Sequence, residues 1–351
     1  MRVLHVIDES SPPDALDQLS LLAAEDDRMV ALGEPQSGSA LASTFCRTHC
    51  PLGLARLAGR YLRHEASEAD ILHAWSFRSA VAAQAAGRGK PVVLTLTDLP
   101  EGRALKRLVR RLRSGRLLCT TPTPSMRRTL IDAGAAEGDI SVLPPAADAT
   151  ADAPARRKST RGKLGLSPDS ALLVCPGPLT RDGGARKAVW VHGICRHAGC
   201  DVHLAIPRGG PFEPHVRYFA ATAGVSDEIH FTRDELSEAD VLAAADIAMV
   251  LSTSGPALSA AVGAMAAGLP VVATDRPDMR KCVGHNRAGL LCAPGDVRSA
   301  AAAVLRLIEE QDLADRLGLT ASSIARENHD RRQCRRQLKE LYEHARAGTS
   351  P

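Results

Sequence analysis

The most constraining stretch of this 351-residue sequence runs from Asp246 to Asp296. It opens with five apolar residues, Ile247-Ala248-Met249-Val250-Leu251, and passes through Ser252-Thr253-Ser254-Gly255-Pro256. A small-residue segment then runs from Ala257 to Gly268 and stops at Leu269-Pro270. A second apolar run, Val271-Val272-Ala273-Thr274, follows, and Gly289-Leu290-Leu291-Cys292-Ala293-Pro294-Gly295-Asp296 closes the stretch. Ser and Pro before a helix and Gly-Leu-Pro after it are start and stop signals, so the pattern predicts strand, helix, strand and a Pro-Gly turn. That is one βαβ crossover. Its helix begins where the strand ends, so unpaired N–H groups and the positive end of the helix dipole face the strand tips and predict an anion site there.

The same alternation extends along the chain. Apolar strand-like runs at residues 3–7, 29–32, 71–74, 92–95, 117–120 and 141–143 are separated by helix-like segments near 16–24, 52–64, 77–86, 104–113 and 125–133. After Pro144 a tract of Ala, Asp and Pro leads into a basic run through Lys163 and reads as a linker, its Arg156-Arg157-Lys158 facing solvent. Strands restart at 171–175, 201–206, 228–231, 247–251 and 271–274, and the last helices fall at 299–310 and 331–347. Alternation of this kind predicts parallel sheets covered on both faces. The length exceeds one α/β core and suits two. The expected division is 1–148, a linker at 149–168, a second domain at 169–330, and a terminal helix at 331–351 crossing back towards the first.

Composition narrows the partners. No apolar run approaches the roughly 18 residues needed to span a membrane, and Met1-Arg2-Val3-Leu4-His5-Val6-Ile7-Asp8 reads as a first strand rather than a signal peptide. A cytoplasmic protein is expected. A net charge of +4 and 3% aromatic residues argue against nucleic acid as the partner. The nine cysteines are odd in number and several sit inside apolar strands, as reduced thiols packed like small hydrophobes would. Cys46, Cys50, Cys195 and Cys200 suggest zinc only superficially, because their spacings miss the usual ligand patterns.

The stretches Leu251-Ser252-Thr253-Ser254, Ala264-Met265-Ala266-Ala267-Gly268-Leu269-Pro270-Val271-Val272-Ala273-Thr274-Asp275 and Gly289 to Asp296 resemble the donor-binding half of glycosyltransferase family 4. These are the group 1 glycosyltransferases, retaining enzymes of GT-B fold. The resemblance implies an α/β chain in the GT-B arrangement: two Rossmann-like doubly wound domains with a cleft between them, the C-terminal one binding a nucleotide sugar. It implies no cofactor and no metal, because the family neutralises the leaving diphosphate with basic residues and a helix dipole, and no Asp-x-Asp motif is evident.

The family's motifs can be followed position by position. Its Gly-Gly loop after the first strand corresponds to Ser10-Ser11-Pro12-Pro13-Asp14, where two prolines remove donors and stiffen the backbone. A donor-facing His is replaced by Thr97, with Asp98 beside it, whereas His73 matches a His common at the end of the preceding strand. His73, Thr97 and Asp98 are the catalytic candidates. His73 also fits a satisfied histidine at a strand end. In the diphosphate segment Gly177-Pro178-Leu179-Thr180-Arg181-Asp182-Gly183-Gly184, Pro178 and Gly183 stand where the family has Arg and Lys. That leaves Arg181, Arg186 or Lys187 to compensate or to act as solvated surface charge.

Two donor-site glutamates correspond to Gly255 and Gly263, and a third carboxylate position is Lys281. Losing the ribose clamp removes charge-assisted hydrogen bonds of roughly 1.5 to 3 kcal/mol, about ten- to a hundredfold in nucleotide affinity. Gly263 also costs about 1 kcal/mol relative to Ala inside a helix. The donor-binding candidates are Gly177, Arg181, Ser252, Ser254, Gly255 and Gly263. Residues 103–116 form a basic amphipathic segment, apolar at Leu105, Leu108, Val109 and Leu112. It reads either as an ordinary helix with a solvated arginine face or as a contact for the inner membrane face or a lipid-linked acceptor. Three functional readings follow. The first is a transferase with a rebuilt or weakened donor site. The second is a non-catalytic scaffold or regulatory partner of an active glycosyltransferase, a pseudoenzyme. The third is a phosphate- or lipid-binding protein.

Overall fold

The computed structural model describes residues 1–8, 11–32, 46–48, 60, 62–115, 117–148, 153–232, 235–253 and 257–348. The chain divides into two compact units, one of Met1–Ala146 with Arg331–Pro351 and one of Ala147–Asp330.

The first unit is built on a seven-stranded sheet of order β3-β2-β1-β4-β5-β6-β7. Its strands are β1 (Val3–Asp8), β2 (Arg28–Leu32), β3 (Cys46–Thr48), β4 (Ile71–Ala74), β5 (Val92–Thr95), β6 (Leu118–Thr121) and β7 (Ile140–Val142). Every pairing is parallel. All residues of β1, β4 and β5 are buried, as strands covered on both faces require. Side chains alternate between two cores: Leu4, Val6, Leu72 and Leu94 pack on one face. Val3, Ile7, Ile71 and Val93 pack on the other, beneath the helices Pro13–Leu22 and Arg331–Ala347 through Leu19, Cys334, Leu338 and Tyr342.

The second unit has a six-stranded sheet of order β10-β9-β8-β11-β12-β13. These strands are β8 (Ala171–Val174), β9 (Val202–Ile206), β10 (Ile229–Phe231), β11 (Ile247–Val250), β12 (Val271–Thr274) and β13 (Gly289–Cys292), again all parallel. In each sheet the chain steps outward for three strands, returns to the middle and steps outward the other way, the order of a Rossmann-type doubly wound sheet.

Several sequence expectations are corrected. The segment taken as a linker holds the helix Ala153–Lys163, which belongs to the second unit and packs against the helix Glu238–Ala244. Its arginines do not simply face solvent: Arg156 pairs with Asp240 at 2.5 Å, Arg157 with Asp246 at 2.5 Å, and Arg161 with Asp246 at 3.2 Å. Strand β3, strand β13 and the helix Gln311–Asn328 were not anticipated, and the helix expected at 52–64 lies mostly outside the described residues. No described helix is long and apolar enough to cross a membrane.

Candidate functional site

In the second unit the strand order reverses between β8 and β11, and the crevice outside the carboxyl ends of those two strands is where a doubly wound sheet binds ligands. The loop from Gly177 to Gly184 leaves β8 and feeds the helix Ala185–His197, while Leu251 to Thr253 leaves β11. The two turns are tied together, Thr253 N–H donating to the Asp182 carbonyl at 3.4 Å. Gly184 is the helix N-cap with φ 95°, and an ideal Cβ there would lie 2.7 Å from the Leu251 carbonyl carbon. Only glycine meets both the left-handed backbone and the close approach.

The same packing constrains Gly183, the position matched to a lysine in the sequence resemblance. A Cβ at Gly183 would sit 2.3 Å from the Pro178 oxygen, so no side chain fits the loop as folded. One turn later the cation reappears. Lys187 Nζ donates to the Leu251 carbonyl at 3.0 Å and to Thr253 Oγ1 at 3.4 Å, placing an ammonium at the tip of β11. Burial holds its pKa below the ordinary lysine value, Asp182 opposing that shift and Arg186 adding to it. Around it lie the first-turn N–H groups of Ala185–His197, which helix geometry leaves unpaired and which Gly184 has no side chain to cap. A half-buried ammonium, a helix N-terminus and the Thr253 hydroxyl converge on one spot, an arrangement suited to a phosphate group.

Of the donor-binding candidates, Gly177 packs against Gly183, an ideal Cβ lying 3.4 Å from its oxygen, and Ser252 is buried in the turn beyond Leu251. Arg181 is exposed and makes no ion pair among the described residues. Gly263 lies in the helix Leu258–Ala266, half-buried, and a Cβ there would meet only Leu242 Cδ1, at 4.0 Å. Ser254 and Gly255 lie outside the described residues. The carboxylates near the tip of β12 are already held: Asp275 by Arg280 at 2.5 and 2.7 Å, Asp278 by Arg276 at 3.1 and 3.2 Å. The Arg280 contact keeps the Asp275 carboxyl below the usual range.

The first unit places its candidates differently. His73 is fully buried, its Nδ1 at 2.5 Å from Tyr342 Oη and its Nε2 at 2.8 Å from Thr95 Oγ1. Both ring nitrogens are occupied inside the core, which fits the second reading of His73, a satisfied histidine, rather than the catalytic one. The cause is strand parity. His73 is in register with His5 of β1, on the face covered by the C-terminal helix. Trp75 Nε1 donates to His5 Nδ1 at 3.1 Å, which leaves His5 Nε2 to donate to Asp27 at 3.1 Å, and Trp75 stacks on His73 with centroids 4.4 Å apart. Burial, then the neighbouring His5, holds the His73 pKa well below its ordinary value.

Thr97 follows β5, and its hydroxyl oxygen is buried with no hydrogen-bond partner among the described residues. Asp98 is exposed and accepts from Leu99 N–H at 2.9 Å. The reversal point of this sheet, between β1 and β4, carries Asp8 and Ser76, with Ser76 Oγ donating to Asp8 Oδ2 at 3.0 Å in a buried pair. Sequence reasoning missed this pair. Its signal was an Asp closing the first apolar run and a Ser following the run at 71–74.

Comparison with known proteins agrees with this architecture. A family model described as Glycosyltransferase Family 4 matches residues 18–151, and one described as Glycosyl transferases group 1 matches residues 188–310. A D-inositol 3-phosphate glycosyltransferase 2 of Catenulispora acidiphila is 33% identical over 187 residues, 49% of this chain and 44% of that protein. A GDP-mannose-dependent alpha-(1-6)-phosphatidylinositol monomannoside mannosyltransferase of Mycobacterium tuberculosis is 28% identical over 233 residues, 63% of this chain and 59% of its own. The chain spans about half the length of the curated relatives it matches. Among solved structures, Anabaena HepE in complex with UDP and glucose superposes with a TM-score of 0.83 at 19% identity, covering 98% of this chain and 99% of that one.

Proposed function

The chain belongs to the group 1 glycosyltransferase family and has its GT-B fold, and from that membership we propose that it binds a nucleoside-diphosphate sugar at the reversal point of its second sheet. The reading extends to transfer of that sugar with retention of configuration. The observation that carries it is the Lys187 ammonium, fixed at the tip of β11 beside an uncapped helix N-terminus. There it takes over the diphosphate-neutralising role that Gly183 cannot fill. With Gly263 in place of a carboxylate, the ribose is held by fewer charge-assisted contacts, so affinity for nucleotide is weak for the family. Gly177 lines the loop on the donor side, while Thr97 and Asp98 are the acceptor-side groups assigned to the sugar.

A second reading, a non-catalytic scaffold, is favoured by the arginine-locked state of Asp275 and Asp278, which leaves neither carboxylate of the β12 tip free for a sugar. A thermal-shift panel of UDP, GDP, ADP and their sugars separates the two. Stabilisation by one base series at millimolar concentration supports donor binding, and none by any of them removes it.

For the acceptor, the helix Gly102–Leu112 presents Arg103, Lys106, Arg107 and Arg110 to solvent while burying Leu108, Val109 and Leu112. We assign this face to an anionic membrane surface or a lipid-linked acceptor. Its test is co-sedimentation with anionic vesicles at low salt, and protein remaining in the supernatant would dismiss it.

A further inference from the structure

A second basic site lies in the same unit at the opposite edge of the sheet. Asn286, Arg287, Arg306, Arg316 and Thr320 line a cavity of about 490 Å³. Asn286 and Arg287 immediately precede β13, and Asn286 N–H donates to the Gly289 carbonyl, so this turn sits at the amino end of that strand. Arg306 is in the last turn of the helix Val297–Glu309, which starts beyond the carboxyl end of β13 and returns antiparallel to it. Arg316 and Thr320 belong to the helix Gln311–Asn328, whose Gly318 backbone lies against the Gly268 carbonyl just ahead of β12. All five residues therefore surround the amino ends of β12 and β13, across the sheet from Lys187.

The charge in this cavity is not compensated. Arg306 pairs with Glu310 at 3.0 Å, whereas Arg287 and Arg316 make no ion pair among the described residues. Three guanidinium groups with one paired carboxylate leave an excess of positive charge, which suits the −1.5 to −2 that a phosphate monoester carries at about pH 7 better than the single charge of a carboxylate. Guanidinium forks engage phosphate oxygens in pairs, the Asn286 amide adds neutral donors, and the Thr320 hydroxyl, which donates to the Arg316 carbonyl at 2.9 Å, is left as an acceptor for the hydroxyls of an esterified group. The cavity is also larger than one phosphate needs and falls in the range of small-molecule sites, roughly 300 to 1,000 Å³.

We propose that this cavity is a phosphate site, independent of the donor site, for either free phosphate or the phosphate of a small hydroxyl-bearing ester. The experiment is isothermal titration of the full chain carrying Lys187→Ala, so that anion at the β11 tip does not contribute, with inorganic phosphate, a hexose monophosphate and the parent hexose at constant ionic strength. Saturable binding of one of the two phosphates, absent for the hexose and weakened at least tenfold by Arg287→Gln with Arg316→Gln, is the expected result. A hexose monophosphate tighter than phosphate identifies an ester as the ligand, and equal affinities identify free phosphate. Heats no larger than those of chloride, or binding indifferent to the two substitutions, overturn the proposal. All three arginines are exposed, and retention of the parent circular dichroism spectrum confirms that the variants are folded. Failure of nucleotide binding in the Lys187 parent leaves this outcome untouched, so the two readings fail separately.

Discussion

Replacing Gly263 tests both the packing and the chemistry of the donor-side helix. The residue sits inside Leu258–Ala266, where glycine costs about 0.8 to 1.0 kcal/mol relative to alanine. An added Cβ meets Leu242 at 4.0 Å, an ordinary van der Waals distance, so no overpacking offsets the gain. Gly263→Ala is therefore expected to stabilise the second unit by about 1 kcal/mol, raising its Tm by roughly 2 to 4 °C for a unit of this size. Gly263→Glu is expected to recover most of that gain, glutamate being nearly as good a helix former. The difference between the two variants isolates the carboxylate. If position 263 faces the ribose, adding a saturating nucleoside diphosphate raises the Tm of Gly263→Glu more than that of Gly263→Ala. Affinity then improves about ten- to a hundredfold, from a contact of roughly 1.5 to 3 kcal/mol. Differential scanning calorimetry with and without nucleotide reads both effects. A lower Tm for Gly263→Ala would refute the packing argument, and equal nucleotide-dependent shifts for the two variants would refute the assignment of this position to the ribose.

Three further predictions concern stability. The imidazoles of His73, His192, His203 and His230 are all held below the ordinary histidine value, burial being the first cause in each. The unfolded chain then binds more protons than the native one below about pH 6.5, so stability is full above that value and is lost as pH falls through the native pKa values. Urea midpoints are accordingly expected to fall between pH 7.5 and 5.5, and constant midpoints would contradict the shifts. Arg157→Ala removes the bond to Asp246 and two bonds of 2.8 Å to the Ala244 and Ala245 carbonyls. After allowance for the partial exposure of the pair, a loss of about 1 to 2 kcal/mol in denaturant unfolding is expected, and no change would mean the helix Ala153–Lys163 is not anchored there. Tyr342→Phe takes a hydroxyl from buried His73 and is expected to cost about 1 to 3 kcal/mol in the first unit while leaving nucleotide-dependent stabilisation of the second unchanged. Loss of that stabilisation would return His73 to the functional residues.

The fold was legible because fully buried parallel strands write themselves as unbroken apolar runs: residues 71–74, 92–95 and 271–274 emerged with the same bounds as β4, β5 and β12. Less was visible where tertiary contact decides. The polar and small residues of Ala153–Lys163 look like a linker until Asp240 and Asp246 are brought to face its arginines. Strand β3, Cys46-Arg47-Thr48, contains no apolar run for the eye to register, unlike the equally short β7 and β10. In the site, the glycines were readable one by one and Lys187 was named with Arg181 and Arg186, but the choice among these three cations was not legible. It depends on Gly183 and Gly184 drawing the loop against Pro178 and Leu251 so closely that the next turn of helix, rather than the loop, presents the cation. His73 stayed open between two readings for a related reason: its position in the sequence fits a strand end, but only the parity of β4 shows that it turns beneath Tyr342.

The most direct test of the account is titration calorimetry of wild-type and Lys187→Ala protein with a nucleoside diphosphate and with the corresponding nucleoside. If the ammonium at the β11 tip grips the diphosphate, the substitution weakens diphosphate binding about ten- to a hundredfold and leaves the nucleoside unaffected. Equal affinities of the two proteins for the diphosphate would contradict it.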